Sequence, residues 1–228
     1  MYIPLPDTIE TVAWEGELEP PAVSKSAGDA APVVTVGRPE VWAAADLEQV
    51  VGKPWTPPWG DAAYWLVRLA CTLRRPQRGH IVEAEQHMML QPGRHADAAE
   101  TYAHSLYPDR QSVEEPRKGA LKLSPELKLA GLIEGSVAEA AVTLEYKRVF
   151  PVIQSYDVGT PYPSWRFKPH AAHPLEGSQF VFAVVAARPA ALAIRAAVKV
   201  TVTLETRFGP LRFGLPDKAR DALLFKIP

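Results

Sequence analysis

Residues 197–208 read AVKVTVTLETRF, and the fold turns on them. Val198, Val200, Val202 and Leu204 fall on one side, Lys199, Thr201, Thr203 and Glu205 on the other. A strict period of two over eight residues is the signature of a β-strand with one buried and one wet face. Upstream, SQFVFAVVAA (178–187) is apolar at every other position and between, as a central strand covered on both faces would be. In YWLVRLACTL (64–73), Trp65, Val67, Leu69, Cys71 and Leu73 share one face, with Arg68 and Thr72 on the other. HIVEAEQHMML (80–90) follows after RRPQRG (74–79), and the pair reads as a hairpin.

Further short alternating runs lie between 119 and 150, where Leu121, Leu123, Leu127 and Leu129 precede Val142, Leu144, Tyr146 and Phe150. GPLRFGLP and ALLFKIP supply one or two closing strands, with PDKARDALL between them suited to a helical turn. Two helices are expected. HADAAETYAHSLY (95–107) carries Ala99, Tyr102, Ala103 and Leu106 at helical spacing and stops at Pro108. PEVWAAADLEQVVG (39–52) has Pro39 in its first turn, Gly52 past its end and a stripe of Trp42, Leu47, Val50 and Val51. The expected fold is therefore mostly all-β: an antiparallel β-sandwich, or flattened barrel, of about eight strands with one or two short helices. Strands do not alternate with long helices, which excludes a doubly wound sheet.

The first sixty residues differ in character. EPPAVSKSAGDAAP (19–32) has too little bulk to fold alone, VVTV (33–36) suits a short strand, and KPWTPPWG (53–60) is stiff and turn-rich. We divide the chain into an extended N-terminal arm, 1–60, and a sandwich domain, 61–228. With Trp14, Trp42, Trp55 and Trp59, the arm is expected to dock on its own sandwich or on another chain.

Composition narrows the function. The 228 residues include 23 prolines, about twice the usual share, which favours strands and rigid loops over long helices. The 25 basic and 26 acidic residues nearly cancel, so no global field draws in nucleic acid or anionic lipid. Arg74, Arg75 and Arg78 share one loop with Arg68 just before it, and are read as a solvated hairpin tip. The single cysteine, Cys71, excludes an intramolecular disulfide, and its apolar setting makes it a small buried hydrophobe. Neither a secretory signal pattern nor a membrane-length apolar run occurs, and a cytoplasmic protein is expected.

Catalytic patterns are sparse. There is no G-x-S-x-G elbow and no glycine-rich phosphate loop. On a strand, Glu83, Glu85 and His87 project from one face, and two carboxylates with an imidazole could hold a divalent metal. The same three suit the wet face of a half-buried strand, opposite Val82, Ala84 and Met88. His170 and His173 are three apart between Pro169 and Pro174, a spacing that points them to opposite sides in extended chain. No cofactor is expected.

One stretch remains, TPYPSWRFKPH (160–170), inside what reads as a long loop from 154 to 177. Trp165 and Phe167 would face one way and Arg166 the other. As structure, the two aromatics plug an open end of the sandwich. As function, Tyr156, Tyr162, Trp165, Arg166 and Phe167 make a patch of the residue types that dominate protein interfaces. The expected function is a non-enzymatic protein-interaction module, an adaptor, assembly subunit or regulatory domain, working through this loop and the arm. The alternatives are a metal-dependent enzyme using Glu83, Glu85 and His87, and a sandwich that binds a small ligand or carbohydrate by stacking on Trp165.

Overall fold

Two long strands joined in sequence, one apolar on both faces and one alternating, seed two different sheets. A computed structural model describes residues 9–20, 31–44, 58–92, 100–111, 152–170, 175–188, 194–207 and 209–228. The strands are β1 (Val12–Glu17), β2 (Val33–Gly37), β3 (Glu40–Ala43), β4 (Ala63–Leu73), β5 (His80–Pro92), β6 (Glu100–Tyr107) and β7 (Arg110–Gln111). They continue as β8 (Val152–Tyr156), β9 (Ser164–Lys168), β10 (Gly177–Arg188), β11 (Ile194–Thr206), β12 (Gly209–Gly214) and β13 (Leu224–Ile227). The first sheet runs β1-β2-β4-β10-β6 with β3 also on β4, and the second β12-β11-β5-β9-β8-β7 with β13 also on β11. Every pairing is antiparallel, which agrees with the sandwich expected from the alternation.

The core lies between the sheets. Trp65, Val67, Leu69 and Cys71 of β4 and Val181, Ala183 and Val185 of β10 meet Val198, Val200, Val202 and Leu204 of β11 and Ala84, Met88 and Leu90 of β5. Burial pushes the Cys71 thiol up to about 12, so it carries no thiolate at neutral pH and acts as a core hydrophobe. PDKARDALL forms two short 3-10 turns, Asp217–Ala219 and Asp221–Leu223, which bring Ala219 and Leu223 into the core.

Several expectations are corrected. Strands β4 and β5 are not a hairpin: β4 pairs with β10 in one sheet and β5 with β11 in the other. Both have a strongly apolar face, and arching residues 74–79 across the core buries the two faces against each other. Gly79 (φ +78°) makes this arch possible, since a Cβ there would lie 2.5 Å from the Glu205 carbonyl oxygen. The helix expected over 95–107 is a strand through Glu100–Tyr107, and its earlier residues lie outside those described. A bulge between Ala103 and Ser105 resets the alternation, so Ala103 and Leu106 both enter the core at a spacing that imitates a helix. The helix expected over 39–52 opens instead as β3, where Val41 and Ala43 pack on the core, and residues 45–57 lie outside those described. So does the strand block expected over 119–150.

From the arm, β1, β2 and β3 are hydrogen-bonded into the first sheet, and Leu18 is buried in the core. Beyond β1, Glu19 and Gly214 exchange backbone bonds of 2.8 and 2.9 Å, tying the first sheet to β12 of the second. No helix among the described residues is long and apolar enough to cross a membrane.

Candidate functional site

The segment 154–177, expected to be one long loop, contains β9 and the start of β10 and forms a hairpin with β8 around residues 157–163. The prolines explain how this short loop is held. Pro161 and Pro163 have no N–H to offer, but their carbonyls accept from the N–H groups of Leu90 (2.8 Å) and Met88 (2.9 Å) on β5. On the other side, Ala103 of β6 donates to the Thr160 carbonyl (3.0 Å), and its own carbonyl accepts from the Gly159 N–H (2.8 Å). The loop therefore stitches the two sheets together along one edge. Within it, Thr160 Oγ1 donates to the Asp157 carbonyl (2.8 Å) and accepts from the Tyr162 N–H (3.1 Å). Asp157, at φ 64°, and Gly159, at φ 81°, make the turn.

This anchoring separates the five aromatic-loop residues into two groups. Trp165 and Phe167 are 0% exposed and lie in the inter-sheet core, beside Ala84, Met88 and Ile153. They are the interior of the second sheet rather than a cap on an open end. A stacking platform for a carbohydrate would need an exposure that Trp165 does not have. The cross-strand neighbour of Trp165, Gln86, is also fully buried, and its side-chain polar atoms and Trp165 Nε1 have no hydrogen-bond partner among the described residues. Tyr162 is the opposite case. It is 61% exposed, with Val158 of the same loop 51% exposed.

Tyr156 and Arg166 occupy the wet face of the second sheet, where alternation sends the partners of Trp165 and Ile153 outward. The Arg166 guanidinium lies 4.9 Å from the centre of the Tyr156 ring, within cation–π range. It also donates to Glu85 Oε1 from Nε (2.9 Å), and its terminal nitrogen forms an ion pair with the same oxygen at 2.8 Å. Glu85 is the hub of this face. Its second oxygen accepts from Arg212 of β12 and, at 3.4 Å, from the Thr201 hydroxyl of β11, with His87 Nε2 also at 3.4 Å. Glu83 sits 3.6 Å from Arg166 and 3.7 Å from Lys168. Burial alone would raise the Glu85 pKa. The Arg166 hydrogen bond and the charges of Arg212, Arg166 and His87 outweigh it and hold the carboxyl below its usual range. The Glu85 hydrogen bond in turn raises Arg166 above the usual guanidinium value.

The strand periodicity thus does bring Glu83, Glu85 and His87 to one face, but the carboxylates are turned onto arginines of neighbouring strands. Among the described residues no group of three or more His, Cys, Asp or Glu is placed to hold a metal ion. His170 is described and exposed, while His173 lies outside the described residues. Sequence reasoning missed Arg212, Thr201 and Val158. Arg212 was detectable in GPLRFG, where it alternates with core residue Phe213, but its partner Glu85 lies 127 positions away. The sequence matches no protein-family model and no curated protein.

Proposed function

We propose that the chain is a non-enzymatic protein-interaction module of the cytoplasm, an adaptor, assembly subunit or regulatory domain, with Tyr162 at the centre of its contact surface. One observation carries the reading: a 61%-exposed tyrosine stands on a loop whose flanking carbonyls are bonded into both sheets. A ring displayed on a backbone already fixed loses little conformational entropy on binding, and tyrosine is among the residue types that dominate interface energy. Val158 extends the apolar contact, and Tyr156 with Arg166 provides a polar border beside it. Trp165 and Phe167 hold the platform from within. The N-terminal arm contributes a second contact through Trp59, which is 39% exposed.

The test is quantitative affinity capture from native extract with the intact chain, Tyr162→Ala, Arg166→Ala and Trp59→Ala, each first shown to be folded. Point substitutions probe the arm because removing residues 1–60 would strip three strands from the first sheet. A stoichiometric protein retained by the intact chain and lost with Tyr162→Ala is the expected result. If folded Tyr162→Ala keeps every stoichiometric partner, the loop is not the contact surface.

A further inference from the structure

Tyr162 and Leu224, the most exposed large apolar side chains among the described residues, belong to one row on the outer face of the second sheet. Leu224 of β13 stands opposite Ala197 of β11, and Ala197 opposite Met89 of β5. Met88 and Leu90 donate to the carbonyls of Pro163 and Pro161, which sets Tyr162 abreast of Met89. The four line up across the strands, with Ala197 and Met89 half-buried between the two displayed ends.

Cations flank this row. On one side Arg195 stands directly opposite Lys226, and on the other Lys199 stands opposite His87. Arg195, Lys199 and Lys226 are exposed and have no ion-pair or hydrogen-bond partner among the described residues. Glu85, two residues before His87 on the same face, is already held by Arg166 and Arg212. Like charges directly opposite each other weaken a strand pair. A lysine on an edge strand such as β13 discourages stray pairing, but Arg195 lies on β11, which is bonded on both sides and needs no such protection.

We infer that this face docks an acidic amphipathic helix of a partner protein, with its apolar stripe on the Tyr162–Leu224 row and its carboxylates on the flanking cations. The inference rests on Tyr162 being a contact surface and adds the chemistry of what it contacts. Neighbouring strands lie about 4.8 Å apart, so the row repeats near the helical pitch of about 5.4 Å. Alternate residues of an extended chain lie about 7 Å apart, a poorer match. The cation rows stand about 13 Å apart, and a helix about 10 Å across fits between them. The apolar middle row favours a helix over nucleic acid, whose contacts with proteins are mostly to phosphate and sugar. Ala197 and Met89 are recessed beside exposed cations, where a side chain reaches and a flat bilayer does not.

The experiment is fluorescence anisotropy at low salt with the full chain and a stapled peptide helix of about four turns, its leucine stripe flanked by glutamates. Two comparison peptides carry lysine for glutamate or glutamine for leucine. Arg195→Gln/Lys199→Gln removes charge beside the row, Arg110→Gln/Lys168→Gln removes the same charge from β7 and β9, and melting curves check folding. Saturable binding of the acidic helix is expected with Kd below about 300 µM. It should weaken about tenfold for either altered peptide and for Arg195→Gln/Lys199→Gln, and stay within about twofold for Arg110→Gln/Lys168→Gln. Any of four outcomes overturns the inference: no saturable binding up to about 1 mM, equal binding of a comparison peptide, unchanged binding in folded Arg195→Gln/Lys199→Gln, or tighter binding of an oligothymidine or a phosphatidylserine vesicle. If Tyr162→Ala loses its partner in extract while the acidic helix fails to bind, the Tyr162 surface stands and only the helix assignment falls.

Discussion

The outer faces of the two sheets are built in opposite ways. On the second sheet the outward row is charged and, apart from Glu85 under its arginines, at least partly wet: Lys199, Thr201 and Thr203 on β11, Glu83, Glu85 and His87 on β5, Arg166 and Lys168 on β9. On the first sheet the outward row is apolar and shielded, with Tyr64 and Leu66 on β4 and Phe180, Phe182, Val184 and Ala186 on β10 all buried. Even Arg68, which alternation sends outward, is buried there. It is paired with Glu40, with Trp42 and Phe180 ring centres 5.7 and 5.9 Å from its guanidinium carbon. A sandwich needs only one apolar face per sheet. The first sheet has two, so its middle strands read as continuous apolar runs, while the second keeps the clean alternation of a sheet with one face in water. The charge network centred on Glu85 lies on the outer face of the second sheet.

Four substitutions test that contrast, in falling order of effect on stability. Trp165→Ala removes a fully buried indole from the inter-sheet core and should cost about 3–5 kcal/mol in denaturant unfolding. Phe182→Ala on the outer row of β10 should cost about 3 kcal/mol if that row is a second packed layer. A loss below about 1 kcal/mol, the range of surface positions, would erase the distinction between the two outer faces. Glu85→Gln removes the charge that two arginines face. Those arginines can rehydrate, so a loss of about 1–2 kcal/mol near neutral pH is expected.

The Glu85 effect has a defined pH dependence. Its carboxyl titrates below the ordinary 4.5 in the folded chain, so it binds its proton less readily there than in the unfolded chain. The ion-pair contribution is therefore complete above the ordinary value and is lost as pH falls from there through the folded-state value. Unfolding curves for the parent chain and Glu85→Gln should converge across that acid window. A gap that persists below it would mean that the charge is not what Glu85 contributes.

Tyr162→Ala has the smallest expected effect on stability, within about 0.5 kcal/mol, because the ring is exposed and the loop is held by backbone bonds. Its effect on partner binding should be large, about 2 kcal/mol or more, or roughly thirtyfold in Kd. A substitution that unfolds the chain instead would place Tyr162 with Trp165, as structure rather than contact surface.

Where the period of two was unbroken, reading residues gave the right faces. Val198 to Leu204 are the core row of β11, and Trp165, Arg166 and Phe167 divide inward, outward and inward. Where a bulge adds one residue, the reading slipped. Ala103 and Leu106 on β6, like Ile81 and Ala84 on β5, face the core three positions apart, and no one-dimensional pattern separates that from a helix turn. Pairing was equally hidden. The connection 74–79 has turn chemistry suited to a hairpin, and only the burial of two apolar faces across the core makes it an arch.

Local patterning is enough to specify a mostly β fold, the apolar row of each regular strand, a thiol confined to the core, and the grouping of Glu83, Glu85 and His87 on one face. These are local matters, set by the alternation of side chains along an extended backbone. Tertiary structure decided that Glu85 meets Arg166 and Arg212, that Trp165 is buried while Tyr162 is displayed, and that residues 160–163 lock one sheet to the other. Those outcomes depend on which strands become neighbours. Neighbours are chosen by the burial of whole faces between segments that can lie more than a hundred residues apart, a choice that no short stretch of sequence contains.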